Sequence, residues 1–282
     1  MYYLLGLVGH PVAHSLSPLM HKAALAAHQL EGEYRLLDFT AAELAACVKK
    51  LPSQQFVGFN VTVPHKLAVL PLLNQLTVEA EQLRAINTVK ILPDGTMVGH
   101  NTDLAGFMAA LTQAWTVGTE TRRAAIAGAG GAARAAVLAL ARLGWKEIVL
   151  ISRRLEAAEA LVCELLPLLS ATGAPTIISV CANCSTASDS YDLLVNCTPV
   201  GLYDTAIPPW LADLLGKVRW DGLFFDMVYR HGNTTPLVQL ARARSLPAAD
   251  GITMLAHQAA LAFQFWTGKS VGVEIMLDAL GL

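Results

Sequence analysis

Apolar and polar positions along this chain follow two periods, one of about 2 residues and one of about 3.6, and the pattern restarts near residue 124. Apolar runs at 4–9, 34–39 and 57–63 predict strands. Between the first two, residues Ser15 to Leu30 predict a helix opened by Ser17-Pro18, with Ser as cap and Pro in the first turn. A second helix begins at Thr40, and a third covers about 66–73. Residues 89–92 and 97–100 flank Pro93-Asp94-Gly95, which predicts a hairpin. Asn101-Thr102-Asp103 precedes a helical pattern running to about Trp115.

After a polar connector at 117–123, the pattern predicts strands at 124–127, 147–151, 176–180, 192–196 and 223–227. Helices are expected at 131–143 and 155–166, then at 254–265 and from Val273 to the end. The expected fold is α/β with two domains. Residues 1–103 with 253–282 form a mainly parallel α/β domain, the tail returning to pack on it. Residues 104–252 form a Rossmann-like dinucleotide-binding domain.

A length of 282 residues suits two such domains. A net charge of −2 and the absence of any basic stripe argue against nucleic acid. Gly, Arg or Pro interrupts every apolar stretch before about 18 residues, so no membrane span is expected. Met1-Tyr-Tyr-Leu-Leu-Gly6 lacks the features of a signal peptide. Of five cysteines, Cys181 and Cys184 form a lone C-x-x-C with no second ligand pair. Free thiols, no metal and a cytoplasmic location are therefore expected.

Asn60-Val-Thr-Val-Pro-His-Lys66 places an amide, a hydroxyl and an ammonium on alternate positions. Asn60 and Thr62 share one face of a strand, and Pro64 ends its ladder. Such converging heads suit a polyhydroxylated acid, and an edge strand with a solvated lysine is the plainer alternative. Lys66 and Asp103 are the candidates for proton transfer: a lysine fixed by a carboxylate can hold a hydroxyl and move its proton while hydride leaves the carbon. The alternatives are a surface lysine and a helix-capping aspartate.

Gly128-Ala129-Gly130-Gly131-Ala132-Ala133 matches G-x-G-x-x-A between a strand and a helix. The first glycine makes the turn, the second admits a pyrophosphate, and the small third position lets helix pack on strand. The helix start then offers free N–H groups to the phosphates. Ser152-Arg153-Arg154 stands at the end of the next strand, where an NAD site carries an acid. Two guanidiniums suit a 2′-phosphate and favour NADP, with NAD as the alternative. A solvated helix start, with Glu156 partly countering the charge, is the plainer explanation.

Further motifs are Gly9-His-Pro-Val-Ala-His14-Ser15-Leu-Ser17-Pro18, Ala85-Ile-Asn87-Thr88, Gly99-His-Asn-Thr-Asp103, Asn196-Cys-Thr-Pro-Val-Gly201, Asp226-Met-Val-Tyr229, and Asp250-Gly251 leading to Gln258. With the two above, they occur in the order of the shikimate dehydrogenase family, which the chain resembles over nearly its whole length. The resemblance includes the quinate/shikimate branch. It implies reversible reduction of 3-dehydroshikimate to shikimate with a nicotinamide as hydride source and no metal. It also implies that Lys66 and Asp103 are the catalytic pair and that Ser15 and Ser17 grip the substrate carboxylate. Asn60, Thr62, Asn87 and Gln258 are similar to groups that read ring hydroxyls, with Tyr229 closing over them. Thr198, Pro199 and Val200 resemble the loop against the cofactor; Met227, Gly251 and Met254 resemble contacts near the nicotinamide.

Three departures stand out. Ser152-Arg-Arg154 replaces the common Asn-Arg-Thr, Cys197-Thr-Pro-Val replaces Ala-Thr-Ser, and His65 replaces an aromatic and resembles the quinate/shikimate branch. The alternatives are therefore a paralogue acting on quinate or an aminoshikimate-type analogue with NAD or NADP, and a non-catalytic dinucleotide sensor. The presence of both Lys66 and Asp103 argues against the sensor. A small-molecule substrate is the expected partner, with the chain a monomer or homodimer. His10, His21 and His28 are expected to be surface or structural residues, and Asp226 to cap a turn.

Overall fold

The computed structural model describes residues 1–115, 122–171, 176–182, 190–203, 205–230, 232 and 234–282. The expected connector at 117–123 and Cys184 thus lie largely or wholly outside the described residues. The chain forms two compact units, Met1–Gly106 with Leu255–Leu282, and Phe107–Met254.

In the first unit, β1 (Tyr3–Gly9), β2 (Gly32–Asp38), β3 (Phe56–Val61), β4 (Gln75–Leu76), β5 (Thr88–Ile91) and β6 (Met97–His100) form one sheet in the order β2-β1-β3-β5-β6-β4. β1 runs parallel to β2 and β3, and β4 parallel to β6. β5 is antiparallel to both its neighbours, so the sheet is mixed. The hairpin at 93–95, where Asp94 Oδ1 accepts from the Thr96 N–H at 2.9 Å, turns the chain back between β5 and β6.

Several local expectations are corrected. β3 ends at Val61, so Thr62 lies just beyond the strand. The helix expected at 66–73 is a run of turns with one short 3-10 segment, Leu70–Leu72. Pro71 lacks an N–H and disfavours helical backbone at the residue before it, so the turn does not propagate. Helix α1 spans Ser17–Ala27 with Leu16 at the cap position and no side-chain cap. Instead Ser15 Oγ accepts from the Ser17 N–H at 3.2 Å. Thr40 donates from its N–H and its hydroxyl to Glu43, at 3.0 and 2.6 Å, and α2 (Leu44–Val48) starts only after that turn. Helix α3 (Val78–Leu83), capped by Thr77, and β4 had no clear apolar period.

One face of the sheet packs Val8, Phe59, Ile86 and Val89. The other buries Leu5 and Met20 against Ala256, Phe263, Trp266 and Met276 of the C-terminal tail. Trp266 fits because a side chain at Gly58 would strike its ring at 2.3 Å, and its indole N–H donates to the Val89 carbonyl at 2.9 Å.

Helix α4 (Asp103–Ala114) leads into the second unit, where β7 (Arg123–Ala127), β8 (Glu147–Ile151), β9 (Ile177–Cys181), β10 (Tyr191–Asn196), β11 (Val218–Asp226) and β12 (Ala248–Ala249) build a sheet. Its order is β12-β11-β10-β7-β8-β9 and every pairing is parallel. The helices are α5 (Gly131–Arg142), α6 (Leu155–Ala171), α7 (Pro209–Leu215) and α8 (Pro236–Ala243). The chain winds outward from β7 to β9, then returns to β10 and winds the other way. That reversal, between β7 and β10, is where doubly wound sheets bind ligands. Sequence periodicity missed α7, α8 and β12, all short. Helices α9 (Ile252–Thr267) and α10 (Val273–Asp278) complete the chain. Among the described residues, no helix is long and apolar enough to cross a membrane.

Candidate active site

In the first unit, Lys66 Nζ lies 2.5 Å from Asp103 Oδ2. The pair is mostly buried, with side chains 19% and 6% exposed, so solvent screens it little. Asp103 is the first residue of α4, yet capping falls to Asn101, whose Oδ1 accepts from the Leu104 N–H at 3.2 Å. The carboxylate is therefore not spent on the helix end. Its other oxygen, Oδ1, accepts from Asn87 Nδ2 at 2.9 Å. The turn carrying Lys66 is tied down by its own carbonyl, which accepts from the Ile86 N–H at 2.8 Å.

Asn87 is the hub. Its Nδ2 faces Asp103 Oδ1 and Thr102 Oγ1, both at 2.9 Å, and Gln258 Oε1 at 3.3 Å. Its Oδ1 accepts from the Thr102 N–H at 2.8 Å and the Thr88 hydroxyl at 3.0 Å. Gln258, on α9, belongs to this cluster, and its Nε2 donates to the Leu255 carbonyl at 2.9 Å. Asn60 sits behind the hub, almost fully buried. Its Nδ2 donates to the Asn87 carbonyl and to Thr88 Oγ1, both at 3.0 Å, while Tyr34 donates to its Oδ1 at 2.8 Å. Both ends of the Asn60 amide thus brace the fold, while its oxygen, with one donor, keeps a second lone pair. Thr88, Thr102 and Tyr34 complete the cluster. Two of them stand inside quoted motifs, while nothing in the sequence signalled Tyr34.

Ser15 and Ser17 lie side by side at the start of α1, their hydroxyl oxygens 3.2 Å apart. Thr62 is half-buried, and its N–H donates to the Val8 carbonyl at 2.9 Å. The end of β2 ties these loops together. Asp38 Oδ1 pairs with His10 Nδ1 at 2.5 Å, and the Phe39 N–H donates to the Gly9 carbonyl at 3.0 Å. His65, buried beside Lys66, donates from Nε2 to the Phe39 carbonyl at 2.6 Å. The His10 contact holds the Asp38 carboxyl below its ordinary range. His21, expected at the surface or in a structural role, is fully buried. It stacks on Tyr34 with centroids 4.6 Å apart, and burial pushes its imidazole down to about 3 against a weaker opposing pull from Asn60.

In the second unit, Gly128 follows β7 with φ +114°, and a side chain there would meet the Cys197 carbonyl at 3.1 Å. Backbone angle and close approach across the β7/β10 reversal both demand glycine. Gly130, at the cap position of α5, differs: φ is −97° and an added Cβ would meet nothing within 4 Å. The fold does not require that glycine, whereas close approach of a pyrophosphate does. Ala129, Gly131 and Ala132 complete the turn and are partly exposed. Ser152 Oγ accepts from the Arg154 N–H at 3.2 Å, leaving Arg153 and Arg154 exposed after β8. The residues present therefore fit an NADP-type dinucleotide.

The Thr198-Pro199-Val200 loop hangs on a buried post. Asn196 Oδ1 accepts from the Thr198 N–H and hydroxyl at 3.0 and 2.6 Å, and Asn196 Nδ2 donates to Asp226 Oδ1 at 2.9 Å. Asp226 also accepts from the Val228 N–H at 3.0 Å and the Thr235 hydroxyl at 2.7 Å. Burial outweighs those bonds and pushes its carboxyl up to about 6. Asp226 is thus an anchor for two segments rather than a simple cap. Met227 Sδ lies 3.5 Å from Cys197 Sγ, and Tyr229 follows, half-buried, in the same unit. A side chain at Gly251 would strike the Met227 carbonyl at 2.4 Å, so packing alone explains that glycine. Met254 is buried on α9. Among the described residues, no group of three or more His, Cys, Asp or Glu could hold a metal.

Residues 7–89 match the model of the shikimate dehydrogenase substrate binding domain, and residues 251–280 match that of the shikimate 5′-dehydrogenase C-terminal domain. A shikimate dehydrogenase (NADP(+)) from Magnetococcus marinus is 37% identical over 277 residues, 98% of this chain and 95% of its own. The solved structure of shikimate 5-dehydrogenase from Thermus thermophilus with NADP(H) and shikimate gives a TM-score of 0.81 at 35% identity, covering 99% of this chain and 98% of its own. Quinate dehydrogenase from Corynebacterium glutamicum, solved with NAD, gives 0.83 at 30% identity, covering 100% and 99%. On this likeness, spread over the whole chain, the protein belongs to the shikimate dehydrogenase family.

Proposed function

We propose that this chain catalyses the reversible NADPH-dependent reduction of 3-dehydroshikimate to shikimate. The observation that carries the reading is the buried Lys66–Asp103 pair, held at 2.5 Å and braced by Asn87. The bound nicotinamide supplies the hydride. Lys66 Nζ then donates a proton to the substrate carbonyl oxygen as negative charge builds there. In the reverse direction the same nitrogen, as the neutral amine, accepts the hydroxyl proton while hydride returns to the nicotinamide. Asp103 keeps the lysine head in place, which removes an ordering cost from the reactive geometry.

Ser15 and Ser17 hold the substrate carboxylate with hydroxyl donors. Asn87, Gln258, Thr62 and Tyr229 read the ring hydroxyls, with Asn60 supporting Asn87 from behind. Residues 128–132 hold the pyrophosphate, and Ser152, Arg153 and Arg154 hold the 2′-phosphate. Thr198, Pro199, Val200, Met227, Gly251 and Met254 border the cofactor. The first unit is thus the substrate domain and the second the dinucleotide domain, with junctions near 103 and 252. The reading includes a cytoplasmic monomer or homodimer with no nucleic-acid or membrane partner, supported by a net charge of −2 and the lack of a spanning helix among the described residues.

The test is steady-state assay of the purified protein with shikimate and quinate, each against NADP⁺ and NAD⁺. Shikimate with NADP⁺ is expected to give the highest kcat/KM, and Lys66→Ala to lose roughly 10²–10⁴-fold in turnover while folding normally. Preference for quinate would favour the second reading, to which His65 and the similarity to a quinate dehydrogenase lend support. Tight cofactor binding without turnover of either acid would leave a dinucleotide sensor.

A further inference from the structure

We propose that Thr88 is a positioning residue for the Lys66–Asp103 pair, the middle link of a one-way hydrogen-bond chain that starts at Tyr34 and ends on Asp103. The proposal rests on the catalytic role given to that pair above. Its strength is that two backbone groups fix the orientation of both asparagine amides, from which the direction of the other links follows. The Thr102 N–H can only donate, so the Asn87 side-chain oxygen must face it at 2.8 Å. Asn87 Nδ2 therefore faces Asp103 Oδ1 at 2.9 Å. The Asn87 main-chain carbonyl can only accept, so Asn60 Nδ2 must face it at 3.0 Å. That leaves Asn60 Oδ1 for the Tyr34 hydroxyl at 2.8 Å, and points the remaining Asn60 N–H at Thr88 Oγ1, 3.0 Å away.

Thr88 has one hydroxyl hydrogen and already accepts from Asn60. It donates onward to Asn87 Oδ1 at 3.0 Å, nearer than Thr102 Oγ1 at 3.4 Å. The chain thus runs Tyr34 to Asn60 to Thr88 to Asn87 to Asp103, donor to acceptor at each step. Thr88 and Asn87 are 0% and 2% exposed and Asn60 4%, so water does not compete for the central links. The consequence lies in the Asn87 carboxamide, which has two orientations related by a flip. One presents N–H to Asp103, and the other presents an oxygen to a carboxylate. Thr88 helps hold the first. Without its hydroxyl, one donor to Asn87 Oδ1 is gone and an Asn60 N–H is left buried without an acceptor.

Thr88→Val keeps the shape and removes the hydroxyl, while Thr88→Ser keeps the hydroxyl and removes a methyl. For the proposed reaction, we expect Thr88→Val to lower kcat roughly tenfold and Thr88→Ser to stay within about threefold of wild type. A pure packing role gives the opposite ranking. A Val variant as active as wild type, or a Ser variant as impaired as Val, overturns the proposal. Should Thr88→Val not fold, Tyr34→Phe breaks the chain at its far end: a kcat loss of about threefold supports the proposal and an unchanged kcat overturns it. If wild type turns over neither acid, the functional reading has failed separately. The chain is then read from the Asn87 side-chain amide in ¹⁵N spectra: hydrogen exchange that quickens in Thr88→Val supports it, and unchanged exchange refutes it.

Discussion

Replacing His21 with Phe should remove a large acid sensitivity from the fold. The ring is fully buried between Tyr34 and Trp266, with centroids at 4.6 and 5.1 Å. Neither ring nitrogen meets a hydrogen-bond partner at close range among the described residues, and the pull of Asn60 offsets only a small part of the cost of charging it. Its pKa falls from 6.5 to about 3. The group is a base lowered in the folded state, so its contribution is whole above pH 6.5 and is lost as pH falls, because the unfolded chain binds the proton first. Each pH unit below 6.5 costs about 1.4 kcal/mol, or roughly 2 kcal/mol between pH 7 and 5. Urea unfolding of wild type and His21→Phe at pH 7, 6 and 5 gives the difference between the two, in which other titrating groups cancel. Phe preserves the aromatic stack, so the variant should fold at pH 7 and lose roughly 2 kcal/mol less on going to pH 5. Equal slopes for the two proteins would refute the claim that His21 is held neutral by burial.

Two further outcomes test the second unit. Gly130→Ala should leave Tm unchanged yet weaken NADPH binding about tenfold or more, while Gly128→Ala should cost about 1–3 kcal/mol of stability, because only the latter meets backbone and a positive φ. Equal thermal stability of the two variants would contradict this division. Asp226, an acid raised to about 6, should favour the fold below pH 4 and lose that contribution as pH rises toward 6. Asp226→Asn, neutral throughout, should gain roughly 2 kcal/mol relative to wild type between pH 4 and 7, read by denaturant titration.

Much of the architecture was legible because hydrophobic period and turn chemistry agree in it. The run 147–151 and the Gly128–Ala133 turn have strand and helix at the required spacing, and the hairpin at 93–95 announces itself by Pro-Asp-Gly. What escaped is short or depends on contacts distant in sequence. Helix α3 and strand β4 are too brief to show a period. The stretch after Lys66 looked helical because propensity cannot anticipate how Pro71 and the hydrogen bonds of the turn share out the backbone. The type and strand position of Asn60 suit a ligand-reading residue. Only the partners Tyr34, Asn87 and Thr88 reveal that its amide also braces the fold. His21 carries no mark in the sequence that separates a buried imidazole from an exposed one.

The tether at the end of β2 has a consequence for how damage spreads. One carboxylate and one main-chain unit, at Asp38 and Phe39, hold both the serine-bearing loop and the turn that carries Lys66. The anion grip and proton delivery proposed for them are thereby yoked to a border strand that itself offers neither. Substitutions along that border should degrade the two functions together, in proportion, even where no altered atom comes near a bound molecule.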